Sequence, residues 1–245
     1  MSARAAAQMR QSWNRRAEKD AFYYVETTHW DGDADKFFAL GEERAAVLID
    51  PVLSGDRGTA LDIGCGLGRM SRALASRFER VVGVDVSDQM IAQARKLNAD
   101  LPSITFLPTD GLSYAVEDGS QDFVFSYEVF QHMPSHEVIR LNIEAVGRAL
   151  RARGAALIHM KIRPKAARDP VRSLLRHAPG WALSPIKRVL GKDPLTIDDA
   201  YRGADPFSTS EVAALFANAG MEVVEMRADP THAPGTHVLV HAKRK

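Results

Sequence analysis

Apolar residues along this chain fall into two rhythms. From residue 58 onward, short apolar runs alternate with segments where apolar positions recur every three or four residues. The runs Thr59–Ile63, Val81–Asp85, Ile104–Leu107, Phe123–Ser126 and Ala155–Met160 predict five buried strands. Between them, 69–77, 88–98 and 136–150 predict helices, the second capped by Ser87 and the third following Pro134-Ser135. Short apolar strands alternating with helices imply a parallel sheet covered on both faces. Residues 3–22 are rich in Ala, Arg, Gln and Glu and predict a helix. An aromatic stretch (Phe22-Tyr23-Tyr24-Val25) and a polar turn (His29 to Asp33) follow it. A second helix is expected over 34–49, stopped by Pro51. After Met160 the rhythm lapses for about 45 residues. The capping box Ser208-Thr209-Ser210-Glu211 then opens a helix carrying Val212, Leu215 and Phe216, closed by Gly220. Met221–Met226 and His237–His241 predict two last strands, joined through the turn-rich Asp229–Gly235 as an antiparallel hairpin.

Composition narrows the class. At 245 residues, 45% hydrophobic and 26% charged, the chain is one large α/β domain or two small ones. A net charge of +1 gives no overall signature of a nucleic-acid binder. No apolar run reaches the roughly 18 residues of a membrane span, and the first residues lack the apolar core of a secretion signal, so a cytoplasmic location is expected. The single cysteine, Cys65, excludes an intramolecular disulfide and a cysteine-only metal site. No metal is expected.

The segment Leu61-Asp62-Ile63-Gly64-Cys65-Gly66-Leu67-Gly68-Arg69 carries the most chemistry. Glycines at the end of a buried strand let a ligand approach bare backbone, and the following helix offers free N–H groups. Asp85, at the end of the second strand, can accept both hydroxyls of a ribose. A dinucleotide fingerprint needs G-x-G-x-x-G, but here the glycines fall as G-x-G-x-G and Arg69 stands at the third fingerprint position. Asp62, two positions before the first glycine, would repel a pyrophosphate and attract a cationic amino-acid end. That combination favours S-adenosylmethionine (SAM), which carries an ammonium and a sulfonium.

Residues 59 to about 160 resemble the class I SAM-dependent methyltransferases. LDIGCGLGR is similar to their glycine motif, VVGVDVS to their second-strand acidic motif, FLPTDG to the third-strand motif and FVFSYEVFQHM to the fourth-strand motif that opens onto substrate. The resemblance implies a doubly wound, seven-stranded sheet of order 3-2-1-4-5-7-6 with the last strand antiparallel. It implies that Gly64, Cys65, Gly66 and Gly68 shape the methionine pocket with Asp62 near the amino group. Asp85 would take the ribose, Val86 and Met90 would lie by the adenosine, and Asp110 would accept from the adenine amine with Gly111 and Leu112 along the ring. The lesser alternative for Asp110 is to cap or turn the loop before Leu112, and Cys65 reads as a small loop filler. Tyr127 and Glu128 would lie near the sulfonium, and the methylated product would leave S-adenosylhomocysteine (SAH).

Outside that core, His132 follows the fourth strand and is a candidate base, or else a structural residue fixing the loop before Pro134. His232 and His237, near the hairpin, are weaker candidates. Tyr23, Tyr24 and Trp30 would close over cofactor or acceptor, or simply pack the N-terminal helices of a 1–50 cap. Residues 163–206 form an expected insertion, and its 163–192 part holds eight Lys/Arg against the single acid Asp169. The rest of the chain therefore carries about −6. This basic segment, with Arg172 and Arg176, is expected to act as a lid for an anionic or lipid-like acceptor or to touch an acidic membrane surface, or to serve only as a solvated cap. The expected activity is methylation of a small-molecule hydroxyl oxygen on a metabolite, sugar or natural product, without nucleic acid. N- or C-methylation and a non-catalytic SAM-binding domain stay open as alternatives. An NAD(P) oxidoreductase is disfavoured because no tyrosine has a lysine four residues later.

Overall fold

The structure is a computed structural model and describes residues 2–163, 203–232 and 235–245. In chain order, its elements are α1 (Ser2–Val25), α2 (Ala34–Leu48), β1 (Thr59–Ile63), α3 (Arg69–Ala75), β2 (Arg80–Asp85), α4 (Asp88–Leu97), β3 (Ile104–Pro108), β4 (Gln121–Ser126), α5 (His136–Ala149), β5 (Leu150–Lys161), α6 (Thr209–Asn218), β6 (Met221–Ala228) and β7 (His237–Arg244). Two single 3-10 turns, Asp50–Val52 and Phe130–His132, complete the set.

One seven-stranded sheet has the order β3-β2-β1-β4-β5-β7-β6. Neighbours β3 to β5 pair in parallel, and β7 runs antiparallel to both β5 and β6. Alternate residues of the central strands point to opposite faces, and both faces are buried. Leu61, Val124 and Ala156 pack with Ile139, Ile143 and Val146 of α5 and Phe216 of α6. Ala60, Phe123, Phe125 and Leu157 pack with Ala45 and Leu48 of α2 and Leu74 of α3. The strands therefore read as continuous apolar runs, and the expected sheet order is the observed one. The order reverses between β1 and β4, so a crevice opens at their carboxyl ends.

β4 starts two residues early at Gln121, β6 and β7 run on to Ala228 and Arg244, and two further boundaries depart from the sequence expectation for a visible reason. The first helix runs on through Phe22–Val25, but it breaks at Asp20 (φ −166°, ψ 94°). There the Asp20 carboxylate accepts the Tyr23 N–H at 2.9 Å, so it caps a second short segment that carries the aromatics. β5 starts at Leu150, five residues before the apolar run, because Leu150 pairs with Gln121 across an irregularity in β4. The capping box at Ser208 and Glu211 is formed on both sides. Most of the expected insertion, 164–202 with Arg172 and Arg176, lies outside the described residues. Its flanks meet just past the carboxyl end of β5, where Ile162 bridges Phe207. No helix among the described residues is long and apolar enough to cross a membrane.

Candidate active site

A cavity of about 410 Å³ lies over the carboxyl ends of β1, β2 and β4. Its floor is the turn after β1, where Gly64 (φ 71°) and Gly66 (φ 53°) adopt left-handed backbone. A Cβ on Gly64 would stand 2.3 Å from Val129, and one on Gly66 2.8 Å from Val25. Gly68 caps α3 at φ 85° but does not line the cavity, because it packs on Asn98 and Phe106.

Two carboxylates border this loop. Asp62 is 2% exposed and accepts the Ser71 hydroxyl at 2.6 Å. Burial pushes its pKa up to about 7, against the Ser71 bond and with the help of Asp85. Asp85 accepts the backbone N–H of Gly66 at 3.0 Å and of Ser87 at 2.8 Å. Burial still raises it to about 6, because two amide donors do not offset the lost hydration. Neither carboxylate has a cationic ion-pair partner among the described residues. Buried acids of this kind fit a ligand that brings an ammonium to Asp62 and hydroxyl donors to Asp85. Cys65 lines the cavity too, but burial and both carboxylates push its thiol up, so it is no nucleophile.

Val86 and Met90 line the next wall with Gly111 and Thr109. Asp110 and Leu112 are not on that wall. The Asp110 carboxylate turns inward on its own loop, accepting the N–H groups of Leu112 and Ser113, each at 2.8 Å. Those bonds outweigh its burial and hold its pKa low. In this structure Asp110 therefore turns its own loop.

The opposite end of the cavity is formed by Tyr127, Glu128 and His132. Glu128 has φ 59°, an uncommon backbone for a residue with a side chain. His132 lies edge-on to Trp13 at 5.4 Å, and its Nε2 accepts from the Gln131 amide at 3.3 Å. Burial, followed by Arg16 and Lys161, lowers His132 to about 4. It is a neutral ring with a weakly basic nitrogen.

Helix α1 closes the cavity with Met9, Trp13, Arg16, Tyr24 and Val25, of which the sequence reading singled out only Tyr24. Tyr23 stands against Tyr24 off the cavity, and Trp30 stacks on Phe22 at 4.5 Å in an aromatic cluster with Phe37. For Trp30 the packing role is the one observed. The amphipathic spacing of α1 could have flagged Met9 and Trp13, one helical turn apart. Which face of it meets the cavity was not readable.

Behind Tyr127 and Glu128, the folding of β7 back along β5 gathers three histidines. His159, His232 and His237 have ring centroids 4.1–5.1 Å apart. Their nitrogens lie within 4.8 Å of one another, whereas tetrahedral ligation asks for N···N spacings of about 3.4 Å. Each ring is already engaged. His237 lies between Thr236 and Gln131, both at 2.9 Å. His159 Nδ1 accepts the Glu128 N–H at 3.2 Å, and His232 lies between Asp229 and Glu128. In this arrangement each of the three rings is held by hydrogen bonds or ion-pair contacts.

Residues 60–154 match a family described as "Methyltransferase domain". The chain is 33% identical over 157 residues to trans-aconitate 2-methyltransferase of Azoarcus sp. (strain BH72), covering 62% of this chain and 58% of that protein. It is 38% identical over 105 residues to phosphoethanolamine N-methyltransferase 2 of Caenorhabditis elegans, covering 42% of this chain and 23% of that one. The match thus spans less than two thirds of either relative. Among solved structures, magnesium protoporphyrin IX methyltransferase from Synechocystis PCC 6803 with bound SAH superposes with a TM-score of 0.61 at 19% identity, covering 98% of this chain and 99% of that one. PH0226 protein from Pyrococcus horikoshii OT3 gives 0.62 at 20%, covering 91% and 98%.

Proposed function

We propose that this chain, whose residues 60–154 match a methyltransferase domain and whose sheet has the strand order expected of the class I SAM-dependent methyltransferases, transfers the methyl group of SAM to a hydroxyl oxygen of a small molecule. The observation that carries this reading is the pair of buried carboxylates beside a glycine turn, in a cavity that continues to Tyr127 and Glu128. SAM would supply an activated methyl group and a neutral leaving sulfur, so the protein's task is alignment and charge placement. Asp62 would hold the amino end, and Asp85 the ribose, with lone pairs left beyond its two amide bonds. Gly64, Cys65 and Gly66 would give close backbone approach, and Val86, Met90 and Gly111 would flank the adenosine. Tyr127, Glu128 and His132 would face the acceptor, with Tyr24 and Trp13 above it.

A second reading is a carboxylate acceptor. The name of the Azoarcus relative points to an acidic substrate, and Arg16, its guanidinium 5.3 Å over Trp13 at the cavity wall, suits an anion. The basic 163–192 segment would act in the same sense, and neutralising Arg172, Arg176, Lys187 and Arg188 should then raise the KM for acidic acceptors.

The test is calorimetry with SAM and SAH, followed by labelled-methyl transfer across alcohols, phenols, amines and carboxylic acids. Binding of both and label on a hydroxyl are expected. Label appearing only on carboxylates would favour the second reading. Binding without transfer to any class would leave a SAM-binding domain.

A further inference from the structure

We propose that Glu128, His232 and Asp229 form a proton-accepting unit at the acceptor end of the cavity, with Glu128 as the group that meets the acceptor and His232 and Asp229 as its positioning partners. The proposal rests on the SAM reading above and deepens it. It implies an acceptor atom that carries a proton to lose, such as a hydroxyl, rather than a carboxylate.

The hydrogen bonds fix the direction of the chain. Asp229 is buried, and its Oδ1 accepts the Thr231 N–H and hydroxyl, each at 2.8 Å. Its Oδ2 accepts the Tyr127 hydroxyl at 2.8 Å and faces His159 Nε2 at 3.2 Å. Burial pushes Asp229 up, but the facing His159 and the Thr231 and Tyr127 donors reverse this and hold it well below the usual carboxylate range. Asp229 is therefore ionised, and a lone pair on His232 Nδ1 would repel its Oδ2 at 3.0 Å, so Nδ1 carries a proton and donates to that oxygen and to the Thr231 hydroxyl oxygen, also at 3.0 Å, whose own proton goes to Oδ1. That assigns the His232 proton to Nδ1 and turns Nε2 toward Glu128 Oε1 at 3.1 Å. A lone pair and a carboxylate at that separation repel unless a proton lies between them, so Glu128 and His232 share one.

The backbone holds Glu128 in place. Its left-handed conformation aims the side chain, and its N–H is tied to His159 Nδ1. Strained backbone of this kind concentrates at functional sites. The cavity is lined by Glu128 but not by His232 or Asp229.

The proton balance closes. As the acceptor oxygen forms its bond to the methyl carbon, the carbon–sulfur bond breaks and its electron pair stays on sulfur. The acceptor O–H also breaks, and its proton goes to the free oxygen of Glu128. The three-residue unit passes from net −1, with one shared proton, to neutral, with Glu128 protonated and an imidazolium on Asp229. His232 is one-fifth exposed and returns the proton to water. The titratable and charged groups around the unit are His159 and Lys161 of β5, His237 of β7, Tyr127 and His132 after β4, and Arg69 of α3. His132 and His237 are both pushed down to about 4 and do not compete for the proton near neutral pH.

The experiment is ring-nitrogen NMR of the full chain labelled with 15N-histidine and saturated with SAH, on the parent protein, Glu128→Gln and Asp229→Asn. At pH 7 the parent His232 should be protonated on both nitrogens, and Glu128→Gln should leave Nε2 unprotonated while SAH affinity stays within about twofold. Asp229→Asn should release the Nδ1 assignment, and SAH binding reports whether that variant is folded. A neutral His232 indifferent to Glu128→Gln overturns the proposal, whatever the activity. If the parent does not bind SAH, the SAM reading fails, and apo spectra still decide on the shared proton. With 4-hydroxybenzoate as the probe acceptor, any phenolic methylation should fall about 100-fold or more in kcat in Glu128→Gln and become steeply dependent on rising pH. A phenolic kcat and pH profile that Glu128→Gln leaves unchanged would count against a proton-accepting role.

Discussion

Glu26, one residue past α1, and Arg69, the first residue of α3, form an ion pair with both side chains at most 5% exposed. Arg44 of α2 adds a second contact to the same carboxylate at 2.8 Å. One buried acid thus joins both N-terminal helices to the helix that follows the glycine turn. Burial alone would raise Glu26, but Arg69, then His29 and Arg44, bring it down to about 2. With its folded pKa below the unfolded 4.5, Glu26 contributes stability that is present above about pH 4.5 and is lost as pH falls toward 2. Glu26→Ala leaves a buried guanidinium unpaired, at a cost of about 3–5 kcal/mol. The transition should fall by roughly 6–20 °C, and Arg69→Met in the same chain should recover part of it. Calorimetric melting of the single and double variants checks this, and a shift under about 2 °C would remove the pair from the stability argument.

The raised carboxylates predict a pH dependence of the opposite sign. Asp62 and Asp85 have folded pKa values of about 7 and about 6 against 3.8, so the folded cofactor-free protein binds more protons than the unfolded chain between about pH 4 and 7. Their contribution to stability is therefore present below about pH 4 and declines as pH rises to 7. A cationic ligand at Asp62 favours the ionised form. Binding of SAM should tighten as pH rises from 5.5 to 8 and should release protons below pH 7. Titration calorimetry in two buffers of different ionisation enthalpy measures that release. Asp62→Asn should weaken SAM at least tenfold at pH 8 while leaving the apo protein as stable or more so. Tight, pH-independent binding by Asp62→Asn would exclude a role for this carboxylate at the amino end.

The sheet was legible because its signal is local. The central strands are short apolar runs, β1 followed by Gly64 and β2 ending at Asp85, and a sheet buried on both faces leaves no other reading of Thr59–Ile63 or Phe123–Ser126. Asp62, Gly64, Gly66 and Asp85 were legible for a related reason: backbone conformation and chemistry coincide within a few residues. Glu128, His232 and Asp229 were not legible as a unit, since 100 residues and the antiparallel return of β7 separate them in sequence. Asp110 shows the converse limit. Its motif position suggested a ligand, but a short polar residue facing two free N–H groups of its own loop closes on them first. Trp30 likewise found Phe22 and Phe37 nearer than the cavity.

Three clustered histidines invite a metal, and the hydrogen-bond directions argue against one. His159 accepts at Nδ1, so its remaining proton is on Nε2, the nitrogen that would have to ligate. Overnight treatment with EDTA should leave SAH affinity and any methyl transfer within about twofold, and added zinc should not raise either. Loss of activity on chelation with recovery on adding zinc or cobalt would replace the hydrogen-bonding assignment of these rings with a ligating one.

Gly66 is where the cap and the glycine turn touch. An alanine there faces two separate costs: the left-handed backbone at φ 53°, and Val25 of α1 at 2.8 Å from the new Cβ. The first is about 1–3 kcal/mol for an ordinary residue, and the second depends on the cap staying where it is. Val25 is β-branched and cannot swing aside without moving its helix. Gly66→Ala should therefore weaken SAH binding sharply, and Gly66→Ala with Val25→Ala should recover the steric part but not the backbone part. Val25→Ala alone should have a small effect. A double-variant cycle of SAH affinities separates the two costs. A double variant no better than Gly66→Ala would mean that α1 does not rest on the turn when cofactor is bound. Full recovery would mean that the backbone at 66 tolerates a side chain and that contact with the cap is what reserves this position for glycine.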